Sequence, residues 1–325
     1  MSEILALASE NILSPIILSF VLGLVAALAR SDLSVPEAAA KALSIYLLFA
    51  IGFKGGASVA GHGLDAALGL SLLTGIALSA LLPFLAFALL SVMTRLDRVN
   101  AAAVAGHYGS ISIVTFLAGS SLLGQRGVDA EGYMVAVAAV MEAPAILSAL
   151  WLVSRNGQSR LDASLLREIL LNGSIVLLVG AFIIGWVTGD DGLQKIHPFI
   201  GAPFQGILCL FLLDMGLIAG RGLRRSRGTL SAGVLLFGIA MPILASLVGL
   251  GAAYLLGLSL GGSVLLMILA ASASYIAVPA AMRVALPEAD PSVYLTLSLG
   301  VTFPFNLAIG IPIYYALAQA ATGGG

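Results

Sequence analysis

Charge is scarce in this sequence. Only 10% of its 325 residues are Asp, Glu, Lys or Arg, against about 25% in soluble proteins at large. The 15 Lys and Arg nearly cancel the 16 Asp and Glu, leaving a net charge of −1. No basic field is present to hold nucleic acid. Cysteine is almost absent, and the single Cys209 excludes a disulfide framework. It sits in an apolar run, where a thiol reads as a small core hydrophobe. There is no His-Glu-x-x-His pattern and no Cys cluster, so no catalytic metal and no enzyme is expected. The first ten residues hold Glu3 and Glu10 but no Lys or Arg, the opposite of the basic start of a cleavable signal peptide.

What is abundant is apolar. Hydrophobic residues make up 60% of the chain, glycine contributes 38 residues, and the mean hydropathy is +1.08. A water-soluble fold cannot hide that much apolar surface. Membrane helices, by contrast, tolerate glycine because small residues let their backbones approach. Ten apolar stretches have about the length that crosses a bilayer. They cover residues 15–29, 38–59, 66–93, 101–122, 133–153, 174–187, 199–219, 230–256, 263–285 and 292–318. Strict alternation is absent, so helices rather than barrel strands are expected. The fold class is therefore an all-α membrane protein with ten transmembrane helices.

Basic residues set the orientation. Arg30, Arg95, Arg98, Arg155, Arg160, Arg167, Arg221, Arg224, Arg225 and Arg227 fall in the odd-numbered loops, whereas the even-numbered loops hold only Arg126 and Lys195. This places the odd loops in the cytoplasm and both termini outside the inner membrane. Residues 154–172 form the one plausible linker, between a first unit at 1–153 and a second at 173–325. The halves match in order. Gly52 and Lys54-Gly55-Gly56 correspond to Gly216 and the run ending at Gly220, and Gly75-Ile76-Ala77 to Gly238-Ile239-Ala240. Ser110-Ile111-Ser112 corresponds to Ser272-Ala273-Ser274 at a spacing of 162. In the fifth and tenth stretches, Tyr133 and Tyr294 precede Pro144 and Pro304. Five spans per half force opposite orientations, giving two inverted five-helix repeats, an arrangement typical of secondary transporters.

The fourth and ninth stretches carry the chemistry. Gly106-His107-Tyr108-Gly109-Ser110-Ile111-Ser112 interrupts one helix, and Ala271-Ser272-Ala273-Ser274-Tyr275 interrupts the other. Pro279 adds a kink or break nearby. Paired interrupted helices mark a transporter's substrate site. A half-helix N-terminus favours an anion, and serine hydroxyls can both donate to it and accept from a cation. Ionisable groups inside spans are costly and usually functional. Glu142 suits a sodium ligand or a proton-coupling site. Asp214 and Lys54 occupy comparable positions in the two halves and suit either a mutual ion pair or a transport role. His107 suits an interhelical hydrogen bond or substrate contact. Arg283 is expected to snorkel to the interface. Other classes fit less well. His107 and Ser110 share a helix face, as an intramembrane hydrolase would need, but no oxyanion motif accompanies them. A passive channel would not need Glu142 or an inverted repeat.

At these motifs the sequence resembles the SbtA-type sodium-dependent bicarbonate transporter family along nearly its whole length. The resemblance rests on Leu13-Ser14-Pro15, Gly52-Phe53-Lys54-Gly55-Gly56, Gly109-Ser110-Ile111-Ser112 and Met141-Glu142-Ala143-Pro144-Ala145. It continues through Ala271-Ser272-Ala273-Ser274, Pro279-Ala280-Ala281-Met282-Arg283 and Ala289-Asp290-Pro291-Ser292. It implies a five-plus-five fold with core and gate domains, a homotrimer, and bicarbonate and sodium held between broken helices four and nine. The substrate-binding candidates are His107, Gly109, Ser110, Ile111, Ser112, Ser272, Ala273, Ser274 and Tyr275. The ion-coupling candidates are Glu142, Ser112, Ser272 and Asp214, with sodium at Glu142. The runner-up function is sodium- or proton-coupled transport of another small anion, such as a carboxylate. The cyanobacterial members differ in carrying Asp where this chain has Tyr275, Ser-Gly-Pro-Pro where it has Ala277-Val278-Pro279-Ala280, and smaller apolar residues at His107 and Tyr108. They carry Asp where this chain has Glu142. Their PII-like regulatory partner goes with a longer central loop than the one here.

Overall fold

The computed structural model describes residues 12–62, 65–154, 173–225, 231–275 and 286–323, together with residues 167, 171, 278, 279, 281 and 282. Most of the 154–172 linker, residues 276, 277 and 280, and the Arg283 expectation lie outside the described residues.

Apolar runs become helices throughout. In order they are α1 (Pro15–Leu28), α2 (Glu37–His62), α3 (Ala66–Met93), α4 (Arg98–His107), α5 (Ile113–Gln125), α6 (Met134–Val140) and α7 (Glu142–Ser154). The chain continues with α8 (Gly173–Ile200), α9 (Pro203–Arg225), α10 (Ala232–Leu256), α11 (Leu260–Ala271), α12 (Pro291–Leu297) and α13 (Ile311–Ala321). Two π-helical turns, Ser298–Thr302 and Asn306–Gly310, flank Pro304 between α12 and α13. Among the described residues, seven helical runs are long and apolar enough to cross a membrane, and Pro15–Leu28, Ile113–Gln125 and Leu260–Ala271 are shorter apolar helices. The chain is a multi-pass membrane protein. Its outer faces fit that setting: Leu73, Leu81 and Val92 of α3, Val187 of α8 and Leu255 of α10 are all exposed.

Side-chain caps fix where helices begin. Ser14, Asp65, Ser231 and Ser259 each accept a backbone N–H from the first turn of α1, α3, α10 and α11, satisfying a donor that has no partner inside its helix. The sixth apolar stretch, expected at 174–187, ends two residues before a break in α8. Gly189 is non-helical there, at φ 57° and ψ −150°, and a second helical segment beyond it carries Asp190 and Asp191 exposed and runs to Ile200. That backbone conformation is open essentially to glycine alone, so the apolar segment and the polar one are separate helical pieces.

Two helix pairs pack backbone to backbone. A side chain at Gly23 of α1 would overlap the Leu213 carbonyl oxygen of α9, and one at Gly216 of α9 would overlap the Phe20 oxygen of α1. The α2–α8 pair does the same, Gly56 against the Phe182 oxygen and Gly185 against the Phe53 oxygen. Other contacts also recur. A Cβ at Gly75 of α3 would lie 2.8 Å from Val137 Cγ1, and one at Gly238 of α10 would lie 2.8 Å from Val301 Cγ1.

Loops clasp the starts of distant helices. The Glu131 carboxylate accepts the Ser259 N–H at 2.7 Å and its hydroxyl at 2.9 Å, at the start of α11. At the start of α4, Asn100 Oδ1 accepts the Asp290 N–H at 2.7 Å. Asp97 caps that helix by accepting from Val99 and Asn100. Burial pushes the Asp97 carboxyl up, but these hydrogen bonds outweigh it and hold the group below the usual carboxylate range. Arginines close helix C-termini: Arg98 donates twice to Leu152 O, and Arg224 donates to Ala27 O. Cys209 packs half-buried against the apolar core.

Candidate functional site

The fourth apolar stretch is two helices, not one. The helix α4 ends at His107, and Tyr108 closes its last turn with its N–H on Ala105 O. The chain then runs close under α3, where a side chain at Gly109 would overlap the Pro83 ring. Ser112 is extended, at φ −105° and ψ 105°, and starts α5 by accepting the Thr115 N–H at 3.2 Å and the Thr115 hydroxyl at 2.9 Å. Glycine at the closest approach and serine at the cap explain why an otherwise apolar run breaks here.

The ninth stretch breaks in the corresponding place. The helix α11 ends at Ala271, Ser272 is extended at φ −82° and ψ 161°, and residues 272–275 are non-helical. The break lies ahead of Pro279, which is itself helical. A serine hydroxyl that can bond the preceding turn ends the helix, and here Ser272 Oγ donates to Leu269 O at 3.0 Å.

The two breaks cross and complete one another. The Ser112 N–H donates to Ser272 Oγ at 3.0 Å, and the Ser274 N–H donates to His107 O at 2.8 Å. The Val278 N–H approaches Ser274 Oγ at 3.4 Å. The side chains of Ser110, Ser112, Ser272 and Ser274 are all buried, as are Ile111 and Ala273. Not every polar atom is satisfied. Ser110 Oγ has no hydrogen-bond partner, and Tyr275 Oη lies near Ser112 without closing a bond. The Tyr275 ring is held edge-on by Phe303 at 5.1 Å. A buried hydroxyl left unpaired costs about 1–3 kcal/mol, a cost that a ligand can repay. The crossing therefore offers two hydroxyls beside the N-terminus of α5, a set suited to an oxyanion.

The other candidates divide. Glu142 opens α7, buried, with Oε2 lacking any partner. The first turn of α7 packs on the last turn of α4, where a Cβ at Gly106 would stand 3.7 Å from Ala145 O. His107 has Nδ1 at 2.6 Å from Ala103 O, its ring stacked on Tyr294 at 4.5 Å, and Nε2 unpaired. Since Nδ1 faces a carbonyl oxygen it carries the proton, leaving Nε2 as an acceptor. The side chain thus folds back along α4, while the His107 carbonyl serves the crossing. Asp214 and Lys54 do not meet. Asp214 is buried on α9 within its glycine-packed pairing with α1, and the Lys54 ammonium sits over the Phe204 ring at 4.6 Å.

Several supporting residues escaped sequence reasoning. Ser79 of α3 accepts the Ala145 N–H at 3.1 Å and donates to Met141 O, pinning the turn before Glu142. Thr302 donates to Gly238 O at 2.7 Å and accepts from the Tyr108 hydroxyl at 2.6 Å. Asn306 donates through Nδ2 to Ala271 O at 2.9 Å and accepts from the Tyr314 hydroxyl at 2.7 Å. Thr302 and Asn306 lie on the π-helical turns, a feature frequent at functional sites. Isolated buried polar residues within the tenth stretch were the available signal.

Residues 15–319 match the Na+-dependent bicarbonate transporter superfamily. The chain belongs to this superfamily. Among curated proteins, none matches the chain. Membership places the protein with transporters of bicarbonate and sodium rather than with enzymes, and the match spans both interrupted helices.

Proposed function

We propose that the chain is a sodium-coupled bicarbonate symporter of the inner membrane, with ten spans folded as two inverted five-helix repeats. The repeats are residues 1–153 and 173–325, joined by the cytoplasmic linker 154–172. Contacts that recur in order support the repeat: the α1–α9 and α2–α8 glycine pairs, Gly75 with Val137 against Gly238 with Val301, and the two loop clasps. In this reading α1, α2, α8 and α9 form the gate, and the remaining helices form a core that carries the crossing.

The observation that carries the function is the crossing itself, where two interrupted helices bond each other and leave Ser110 Oγ and Tyr275 Oη unpaired. Bicarbonate sits there against the α5 N-terminus, with Ser110, Ser274 and Tyr275 as donors. Sodium is held beside it by Glu142, whose free oxygen and negative charge offset the cation. Each ion lowers the cost of bringing the other to the membrane interior, the electrostatic basis of coupling. Arginines in the odd loops support a cytoplasmic linker and external termini. The homotrimer implied by the resemblance belongs to this reading as well.

Uptake of radiolabelled bicarbonate into proteoliposomes under an imposed sodium gradient tests the proposal. Accumulation driven by sodium is expected, and Ser110→Ala combined with Ser274→Ala abolishes it while the protein still folds. Wild-type uptake by that double variant would overturn the site. Accumulation that follows a proton gradient and ignores sodium would instead favour proton coupling, and uptake of a carboxylate in place of bicarbonate the alternative substrate.

A further inference from the structure

Both breaks are gripped from one side by a single short stretch of helix. The run Pro291–Ala321 carries Thr302, Phe303 and Asn306 near its middle, and each of the three meets a different part of the crossing. Thr302 accepts from the Tyr108 hydroxyl at 2.6 Å, at the residue that closes α4. Asn306 donates to Ala271 O at 2.9 Å, at the last residue of α11. Between them, Phe303 stands edge-on to the Tyr275 ring at 5.1 Å. Thr302 and Asn306 are four residues apart, about 6 Å along a helix axis. One piece of backbone thus sets where both half-helices end.

Hydrogen-bond chemistry gives each grip a fixed direction. Pro242 has no N–H to offer Gly238 O, the carbonyl one turn before it in α10. Thr302 supplies a donor to that oxygen at 2.7 Å. Its one proton is thereby committed, so the Tyr108 hydroxyl gives rather than receives. Ala271 O has no donor inside its own helix, because it lies at the C-terminus. The Asn306 amide takes it through Nδ2 and keeps Oδ1 for the Tyr314 hydroxyl at 2.7 Å. A side chain at Gly310 would stand 2.8 Å from that Oδ1 and 2.9 Å from the Tyr314 hydroxyl oxygen, so glycine leaves this bond its room.

The anion proposed for the crossing draws donors from both breaks, Ser110 from the first and Ser274 and Tyr275 from the second. Its fit depends on how far apart the breaks are held. We infer that Thr302, Phe303 and Asn306 form a bracket that sets this separation, with Tyr108, Thr302 and Asn306 as positioning residues for bicarbonate binding. This rests on the reading above that bicarbonate binds at the crossing. The two arms work as a unit: once one is loosened, the other no longer fixes the distance between the breaks.

Bicarbonate uptake by the full chain in proteoliposomes, resolved into KM and maximal rate, tests the bracket. Tyr108→Phe keeps the ring against Phe237 and loses only the hydroxyl. It is expected to raise KM about 10-fold and to change the maximal rate little. Thr302→Val should raise KM in the same way, and Thr302→Ser, which keeps the hydroxyl, should return it to the wild-type value. Asn306→Leu removes the other arm and raises KM likewise. Because both arms hold one separation, Tyr108→Phe with Asn306→Leu should raise KM by less than the product of the two single effects. A wild-type KM in Tyr108→Phe, or single effects that multiply, overturns the bracket. So does a Thr302→Ser variant that keeps the raised KM of Thr302→Val. Should Asn306→Leu or Thr302→Val fail to fold, the KM of Tyr108→Phe still decides. The underlying reading fails by a different result: a wild-type protein that takes up no bicarbonate, or uptake that survives Ser110→Ala with Ser274→Ala.

Discussion

The α1–α9 and α2–α8 pairs and the crossing of α4–α5 with α11 are both built from small buried residues, yet they use smallness for different ends. In the helix pairs, glycine brings backbones into contact, with Gly23 and Gly216 facing each other's helices and Gly56 and Gly185 doing the same. In the crossing, glycine and serine interrupt helices, and two hydroxyls stay unpaired. The pairs are packed for stability, because dense contact is what holds helices together in lipid. The crossing leaves buried hydroxyls unpaired at a cost in stability, which the proposed function explains as a place to bind. Variants that separate these two properties test the distinction.

The largest effect is expected in the pairs. In Gly56→Ala or Gly216→Ala the new methyl overlaps a carbonyl oxygen on the neighbouring helix, and a backbone atom cannot move aside as a side chain can. Forcing the helices apart costs about 3 kcal/mol, far more than the roughly 0.5–1 kcal/mol gained by removing a helical glycine. Thermal unfolding in detergent should show a large drop for either variant. An unchanged midpoint would mean these helices are not in contact through glycine.

The crossing should behave in the opposite way. Ser110→Ala and Tyr275→Phe each remove a buried hydroxyl that has no partner, so stability is expected to hold or to rise by about 1 kcal/mol. Transport should fall, since a hydrogen bond to a charged ligand is worth about 1.5–3 kcal/mol, or roughly 10-fold to 100-fold in bicarbonate uptake. A variant that melts lower but transports normally would place the hydroxyl in packing and not in binding.

How much of this was legible in the sequence follows the same division. Hydropathy found every apolar stretch, and Gly109-Ser110-Ile111-Ser112 with Ser272-Ala273-Ser274 identified both breaks, because helix-breaking composition is local. Partnerships between helices are not local. Lys54 and Asp214 looked like a pair because they lie at comparable places in the two halves. Yet Lys54 meets α9 at Phe204, ten residues or roughly 15 Å along that helix from Asp214. Ser79, Thr302 and Asn306 were missed for a related reason. One hydroxyl or amide in an apolar run reads the same whether it bonds its own helix or bridges to another. The π-helical turns that aim Thr302 and Asn306 depend on backbone register, which hydropathy does not carry.

The clasps should matter less than either region, being satisfied contacts near the ends of helices. Glu131→Ala removes two acceptors from the start of α11, for an expected loss of about 1–2 kcal/mol. At the other clasp the sign with pH is fixed. The Asp97 carboxyl titrates below its unfolded value, so its contribution is complete above the ordinary carboxylate range and disappears as pH falls through the lowered value. Unfolding midpoints of wild type and Asp97→Asn should therefore converge in acid. Midpoints that stay apart would mean the cap acts through shape rather than charge.

The smallest effect tests the comparison at its edge. Gly180 lies in the middle of α8, on the same helix as Gly185, but a Cβ there would meet nothing within 4 Å. If close backbone approach is what the pairs require of glycine, Gly180 has no such duty. Gly180→Ala should then gain about 0.5–1 kcal/mol from helix propensity alone, read as a small rise in midpoint beside the fall for Gly56→Ala. A loss at Gly180 would show that this face of α8 is covered in the folded assembly. In a homotrimer the cover would be a second copy of the chain, and cross-linking between cysteines placed at Ile183 and Val187, both exposed on α8, would then join subunits.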